Sequence, residues 1–448
     1  MPTIIFASPM MKLLRPTDKE IMRLAVPTFF ALTAEPFYVL VDTAIVGHLG
    51  RDQLAGVAIA GAYLAWAFGI FHFLAYNTTA AVARWIGATE PRRAVEQGLA
   101  GLWLALGLGT AITVVGLVLA PTVVDVMGAS DAIRPYALTY IRISLIGAPM
   151  LMIMLAGVGY LRGTQDGRTP LVIAVIANVA NLIIELVFVY GFDWGVAGSA
   201  WGTVIVQALS AVAFLVLIDR HRRRVQGRIR PDFAAVFRTA RVGIHLMMRT
   251  AALIAAFTIT TSLAARISDT AIAAHQIAFQ IWLFLSFALD AVSIAGQSIV
   301  GKYLGAADPV GARQMTRRML QFAVVTGILA AAIVVALREP LASIFTNDKQ
   351  VQDALKSVLF IVALLQPIGA IAFVLDGILI GSGETRYLAL AMLGATLAFL
   401  PCAIYVTVTE AGLNALWLAL GVFLFARIIG LGARYRTDKW LITGACRT

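Results

Sequence analysis

The chain is short of charge. Of its 448 residues only 13% are Asp, Glu, Lys or Arg, while 60% are hydrophobic; a soluble domain has about a quarter charged and about half apolar. Folding into a ball cannot hide that much apolar surface, because the buried fraction rises slowly with size. Cysteine is nearly absent: Cys402 lies inside a hydrophobic segment and Cys446 in the tail, which excludes a disulfide framework and a cysteine metal site. The five histidines are scattered. There is no zinc-type His pair, no Asp-rich diphosphate motif and no G-x-S-x-G elbow, so nothing points to an enzyme or a cofactor. The opening "MPTIIFASPMMKLLRPTDKE" has no long apolar run followed by a cleavage site, and reads as a short cytoplasmic arm.

What the chain does have is long apolar blocks, with a mean hydropathy of +0.86. Blocks of roughly twenty residues cross a ~30 Å hydrocarbon core as helices. Breaks at Pro, Gly and charge clusters predict twelve of them, near 21–47, 53–84, 92–120, 134–160, 170–190, 195–219, 238–265, 270–302, 312–337, 351–379, 387–408 and 412–433. The expected class is an all-α polytopic protein of the cell (inner or plasma) membrane. Lys and Arg set its orientation. With the N-terminus in the cytoplasm, the inward regions hold Lys12 to Arg23, Arg84 to Arg93, Arg162 and Arg168, the run Arg220 to Arg241, Lys302 to Arg318, Arg386 and the tail. Outward loops hold only Arg51, Arg134, Arg266, Arg338, Lys349 and Lys356. That bias puts both termini in the cytoplasm and accounts for the net charge of +11. The run "DRHRRRVQGRIRP" is then a linker near anionic lipid headgroups, not a nucleic-acid site.

The two halves repeat at one offset. "WIGATEP" (85–91) recurs as "YLGAADP" (303–309), and "LRGTQDGR" (161–168) as "LIGSGETR" (379–386). Gly87 and Gly305, Pro91 and Pro309, Pro149 and Pro367, and Gly163 and Gly381 are each 218 apart. Each half has six helices and begins on the same side, so the repeats are parallel and related by a pseudo-two-fold along the membrane normal. Some secondary transporters are built this way, with the substrate site between halves and access that alternates. The expected layout is a 1–20 arm, a 21–219 N-lobe, a 220–237 basic linker, a 238–433 C-lobe and a 434–448 tail.

Ionisable groups in mid-membrane are costly and by default face a cavity and have a job. Asp42 lies nine residues before Arg51, Glu185 eight before Asp193, and Thr203 ten after it. All three therefore sit roughly 12–15 Å below the outer helix ends. Asn181 shares a face with Glu185 at i, i+4. Two carboxylates in a dry pocket cannot both stay charged cheaply, and together they form a proton-loadable site; the same oxygens suit Na⁺ as a hard cation. Glu35 is a secondary candidate on the Asp42 face. Pro27 and Pro36 are expected to bend the first helix, since each removes a backbone donor. At the 218 offset Asp42 corresponds to Thr260 and Glu185 to Ala403, so the cluster is not repeated. The second half offers Asp290 and Asp376 as secondary candidates.

"VPTFFALTAEPFYVLVDTAIVGHLG", "NVANLIIELVFVYG", "WGVAGSAWGTVIVQ" and "LRGTQDGRTP" resemble the multidrug and toxic compound extrusion (MATE) family, in its DinF-like branch. The resemblance covers nearly the whole chain. It implies the MATE fold of twelve helices in two six-helix lobes. It also implies a monomeric antiporter that exports organic, often cationic or amphipathic, compounds in exchange for H⁺ or Na⁺. On this resemblance Asp42 is the coupling residue, Asn181, Glu185 and Thr203 complete its site, and Pro27 is the first-helix proline. One departure stands out: the family usually has Asp where this chain has Glu185, and the longer arm bears on Na⁺ geometry more than on a proton. The alternative is a flippase for lipid-linked or amphipathic substrates. Such proteins carry a cationic cavity, whereas intramembrane arginines here are few, Arg142 and Arg249.

Overall fold

A polar backbone in hydrocarbon must satisfy its own hydrogen bonds, and a helix does so within one segment. The computed structural model describes residues 15–445, apart from the side chain of Glu35. Every long apolar block in it is helical, with no strand among the described residues. The first half consists of α1 (Pro16–Gly47), α2 (Arg51–Gly69), α3 (Phe73–Gly87), α4 (Pro91–Val126), α5 (Arg134–Ile146), α6 (Ala148–Gly163), α7 (Arg168–Leu186) and α8 (Gly195–Val225). The second half consists of α9 (Phe233–Ile267), α10 (Asp269–Gly305), α11 (Pro309–Phe345), α12 (Lys349–Gly381), α13 (Thr385–Val408) and α14 (Gly412–Arg436). Among the described residues eleven segments can each span a membrane, and the bent pair α5–α6 makes a twelfth.

Three predicted spans are less regular than their hydropathy suggests. The second is broken by a single 3₁₀ turn, Ile70–His72. The fourth bends by 49° between α5 and α6. Pro149 has no N–H to give the carbonyl of Leu145, and the Thr113 hydroxyl takes that carbonyl instead, at 2.6 Å. The fifth ends in a π-helical turn, Val187–Gly191. By contrast α1 runs as one element through both Pro27 and Pro36. Near Pro36 its backbone takes help from outside: Asn178 Nδ2 donates to the Ala34 carbonyl at 3.3 Å.

The repeat read from the sequence reappears as matching close approaches. A Cβ on Gly327 would stand 2.6 Å from Pro367 Cα, and Gly109 is pressed on Pro149 in the same way. A Cβ on Gly163 would stand 2.9 Å from the Thr79 carbonyl oxygen, and one on Gly381 2.6 Å from that of Gln297. Each pair is offset by 218. The turn before α4 puts Thr89 at φ 57°, and the turn before α11 puts Ala307 at φ 56°. Pro then opens each helix, where its missing N–H costs nothing. Small residues at these positions let helices approach backbone to backbone, which drives packing in a solvent as apolar as the side chains. Gly381→Ala is therefore expected to lose roughly 1–3 kcal/mol. Gly394→Ala, inside α13 with nothing within 4 Å of the new Cβ, should be neutral or stabilising by up to about 1 kcal/mol. Melting in detergent separates them; equal shifts would overturn this account of the contact.

The chain forms two compact units. One holds residues 30–251; the other holds 252–443 together with α1 up to Phe29. In the first, Val46, Leu64, Val124, Ile141 and Leu145 form an apolar core. In the second, Trp282, Leu355, Phe399, Trp417 and Phe423 do so. The start of α1 is tied into the second unit by Arg318 on Asp18 at 2.6 Å and Lys302 on Glu20 at 2.7 Å.

Candidate functional site

Three helices of the 30–251 unit each contribute two polar side chains one turn apart: Tyr38 and Asp42 from α1, Asn181 and Glu185 from α7, Ser199 and Thr203 from α8. The i, i+4 spacing puts each pair on one face of its helix, and the three faces meet. Ser199 Oγ donates to Asp42 Oδ1 at 2.7 Å. The Tyr38 hydroxyl and Thr203 Oγ1 are 2.9 Å apart. With its amide turned to satisfy both ends, Asn181 Nδ2 donates to Glu185 Oε2 at 3.3 Å and Oδ1 accepts from the Thr203 N–H at 3.2 Å. Asp42 and Ser199 are the side chains that act on the Glu185 carboxyl. Tyr140 of α5 is buried near the same side chains.

Local features of the sequence produce this convergence. Gly198, next to Ser199, has no side chain, and a Cβ there would stand 2.9 Å from the Phe188 carbonyl carbon. That lets α8 lie directly on the end of α7. The π turn after Leu186 swings Tyr190 so that its hydroxyl donates to the Ile45 carbonyl at 3.0 Å, tying α7 to α1 three residues beyond Asp42. A one-residue bulge of this type commonly accompanies functional sites in helices.

The pocket is buried and acidic. Asp42 is 7% exposed and Glu185 1%. The groups acting on Glu185 are Asp42 and Ser199, with no basic side chain among them. Its Oε1 is buried and receives no hydrogen bond. A buried ionised oxygen without a donor is expensive, so the arrangement suits a carboxyl that carries a proton or an oxygen that meets a cation.

Asp42, Asn181, Glu185 and Thr203, picked out by depth, are thus brought together. Tyr38, Ser199 and Tyr140 were not anticipated. The first two could have been found one turn before Asp42 and Thr203; Tyr140 carries no such mark. Glu35 lies on α1 with its side chain outside the described residues. Asp290, on α10, and Asp376, on α12, belong to the other unit. Asp376 is fully buried there, with Arg427 Nη2 of α14 donating to its Oδ2 at 2.5 Å. The Arg427 guanidinium also lies 5.6 Å from both the Phe373 and Phe423 rings. No cluster of three metal-ligating side chains occurs among the described residues.

Eleven apolar spans with one further bent pair among the described residues, and a buried acidic pocket within one helical unit, are the features expected of a membrane transporter. The family model described as MatE matches residues 27–187 and 246–405, one stretch in each half. The chain belongs to the MatE family, whose members are transporters and not enzymes. It is 32% identical to "Protein DETOXIFICATION 44, chloroplastic" of Arabidopsis thaliana over 94% of this chain and 83% of that protein. It is 27% identical to "DNA damage-inducible protein F" of Escherichia coli (strain K12), covering 95% of this chain and 94% of that one. Among solved structures, MATE in the bent conformation superposes with a TM-score of 0.87 at 22% identity, over 95% of this chain and 96% of that chain. This last likeness establishes the fold.

Proposed function

We propose that this MATE-family transporter is an antiporter of the plasma membrane that exports organic, cationic or amphipathic compounds in exchange for H⁺, with both termini in the cytoplasm. The observation that carries the reading is the meeting of Asp42 and Glu185 around Ser199 in one buried pocket. Two carboxyls in one buried pocket cannot both stay ionised cheaply, and Glu185 Oε1, buried and without a hydrogen bond, is suited to hold the proton that relieves them. A second proton arriving from outside neutralises Asp42. The Ser199–Asp42 bond then weakens, because hydrogen bonds to charged acceptors are roughly twice as strong as neutral ones. α1 is free to repack where Pro36 has already removed one backbone bond. Proton occupancy thereby selects the side to which the substrate path opens. Pro27 and Pro36 are the flexible points of this step. A sodium ion would instead be held by Asp42, Glu185, Asn181 and Thr203. Asp376 has a fixed counter-charge in Arg427 and is assigned a structural role.

Gradient experiments in proteoliposomes test the coupling ion directly. With the organic cation ethidium as probe, an imposed proton gradient is expected to drive uptake and a sodium gradient at constant pH is not. Uptake driven by sodium alone transfers the site to Na⁺; uptake with neither gradient removes the antiporter reading.

A further inference from the structure

The 30–251 unit holds a second polar cavity that the coupling mechanism does not use. It is a cleft of about 570 Å³ between the ends of α3 and α4, the segment joining α8 to α9, and the first turns of α9. Arg93, Arg228, Arg230 and Arg238 line it, with the indole of Trp85. Two acids also line it, and both already accept hydrogen bonds. Asp232 Oδ1 accepts from the N–H groups of Ala234 and Ala235 at 3.0 and 3.2 Å, capping α9. Glu96 Oε1 accepts from Arg92 Nε and from the Arg228 N–H, each at 3.3 Å. Four guanidinium groups against two committed carboxylates leave the cleft two positive charges in excess. Such a cluster is self-repelling until an anion enters it. Guanidinium groups match phosphate oxygens in pairs, with geometric as well as electrostatic selectivity.

Apolar side chains beside the cleft narrow the choice of anion. Phe233 and Phe237, one turn apart on α9, are 77% and 72% exposed, and Ile229 is 57% exposed. The Trp103 indole, 42% exposed, donates to the Ile229 carbonyl at 3.3 Å. Trp103 lies ten residues, roughly 15 Å, further along α4 than Arg93, so aromatic surface continues from the cleft in the direction of the hydrocarbon. A soluble phosphate compound would gain nothing from that surface, whereas an acyl chain would cover it. We propose that this cleft binds the phosphate headgroup of an anionic glycerophospholipid, whose acyl chains lie over Phe233, Phe237 and Trp103. It converts the general attraction of a basic segment to anionic lipid into a defined site on the segment that connects the two halves.

Native mass spectrometry of the full chain in neutral detergent tests this, with phosphatidylglycerol, phosphatidylcholine, inorganic phosphate and glycerol 3-phosphate as separate probes. The wild type should retain phosphatidylglycerol in preference to phosphatidylcholine. Arg230→Ala with Arg238→Ala should weaken that binding by about 30-fold, as expected of two arginines near anionic lipid. Arg220→Ala with Arg224→Ala removes the same charge outside the cleft and should leave it unchanged. Should the alanine pair fail to fold, Arg230→Gln with Arg238→Gln makes the same comparison. Equal weakening by the two pairs, or no preference over phosphatidylcholine, would reduce the cleft to surface charge and overturn the proposal. Binding of inorganic phosphate or glycerol 3-phosphate as tight as that of the lipid would overturn the lipid as ligand and leave a free phosphate site.

Discussion

Asp42→Asn is expected to lower proton-driven export by at least about tenfold, the ratio that ~1.4 kcal/mol carries, while the protein remains folded in the membrane. Asn has the size and planar shape of Asp and still accepts from Ser199 Oγ, which lies 2.7 Å from Oδ1 in the native pocket. It cannot take up or release a proton. The substitution thus separates charge from shape at one atom. Glu185→Gln should produce a loss of similar size, because it removes the second carboxyl of the same buried pocket. Ser199→Ala removes a hydrogen bond to a charged acceptor, worth about 1.5–3 kcal/mol; it should change the pH dependence of export more than its maximum. Drug efflux in cells, normalised to membrane abundance, is the measurement. Undiminished efflux by the Asp42→Asn protein would sink the coupling role of the pocket.

The second large effect lies in the other unit and concerns folding. Arg427→Met leaves Asp376 buried without the guanidinium that now donates to it at 2.5 Å. With side chains only 2% and 1% exposed, neither member can turn to water. Removing one partner of such a pair costs roughly 3–5 kcal/mol, whereas replacing both with apolar groups of similar volume is often neutral or stabilising. Arg427→Met should therefore melt far below the wild type in detergent, and Asp376→Leu combined with Arg427→Met should recover most of the loss. Proton-driven export by the stable double variant would support the structural role proposed for Asp376. A stable double variant without export would make Asp376 a second coupling site and overturn that assignment.

Much of this is legible in the sequence, for definite reasons. An apolar block that must satisfy its backbone in hydrocarbon has only one local solution, so segment lengths and breaks already implied twelve helices. The internal repeat was visible because close helix contacts demand Gly, and Gly163 and Gly381 sit on the backbones of Thr79 and Gln297 in the two halves. The depth of Asp42, Glu185 and Thr203 followed from residue counts at 1.5 Å per residue. Rotation about each helix axis was another matter. Whether Asp42 faces Glu185 depends on helix rotation and crossing, which a count along the chain does not contain. Asp376 shows the same limit: its partner Arg427 is 51 residues away on another helix, and nothing near Asp376 in the sequence indicates that its charge is compensated.

The sequence by itself determined the solvent, the number of membrane spans, the parallel repeat and the level of the acidic residues, because each depends on composition or on distance along one chain. Only the tertiary structure decided that Tyr38 and Ser199 complete the pocket, that Thr113 takes the carbonyl freed by Pro149, and that Asp376 is neutralised by Arg427 while, among the described residues, the groups acting on Glu185 include no basic side chain. Those outcomes rest on which helix faces turn toward each other. In a solvent as apolar as the side chains, that choice is set by close packing between helices and not by hydropathy.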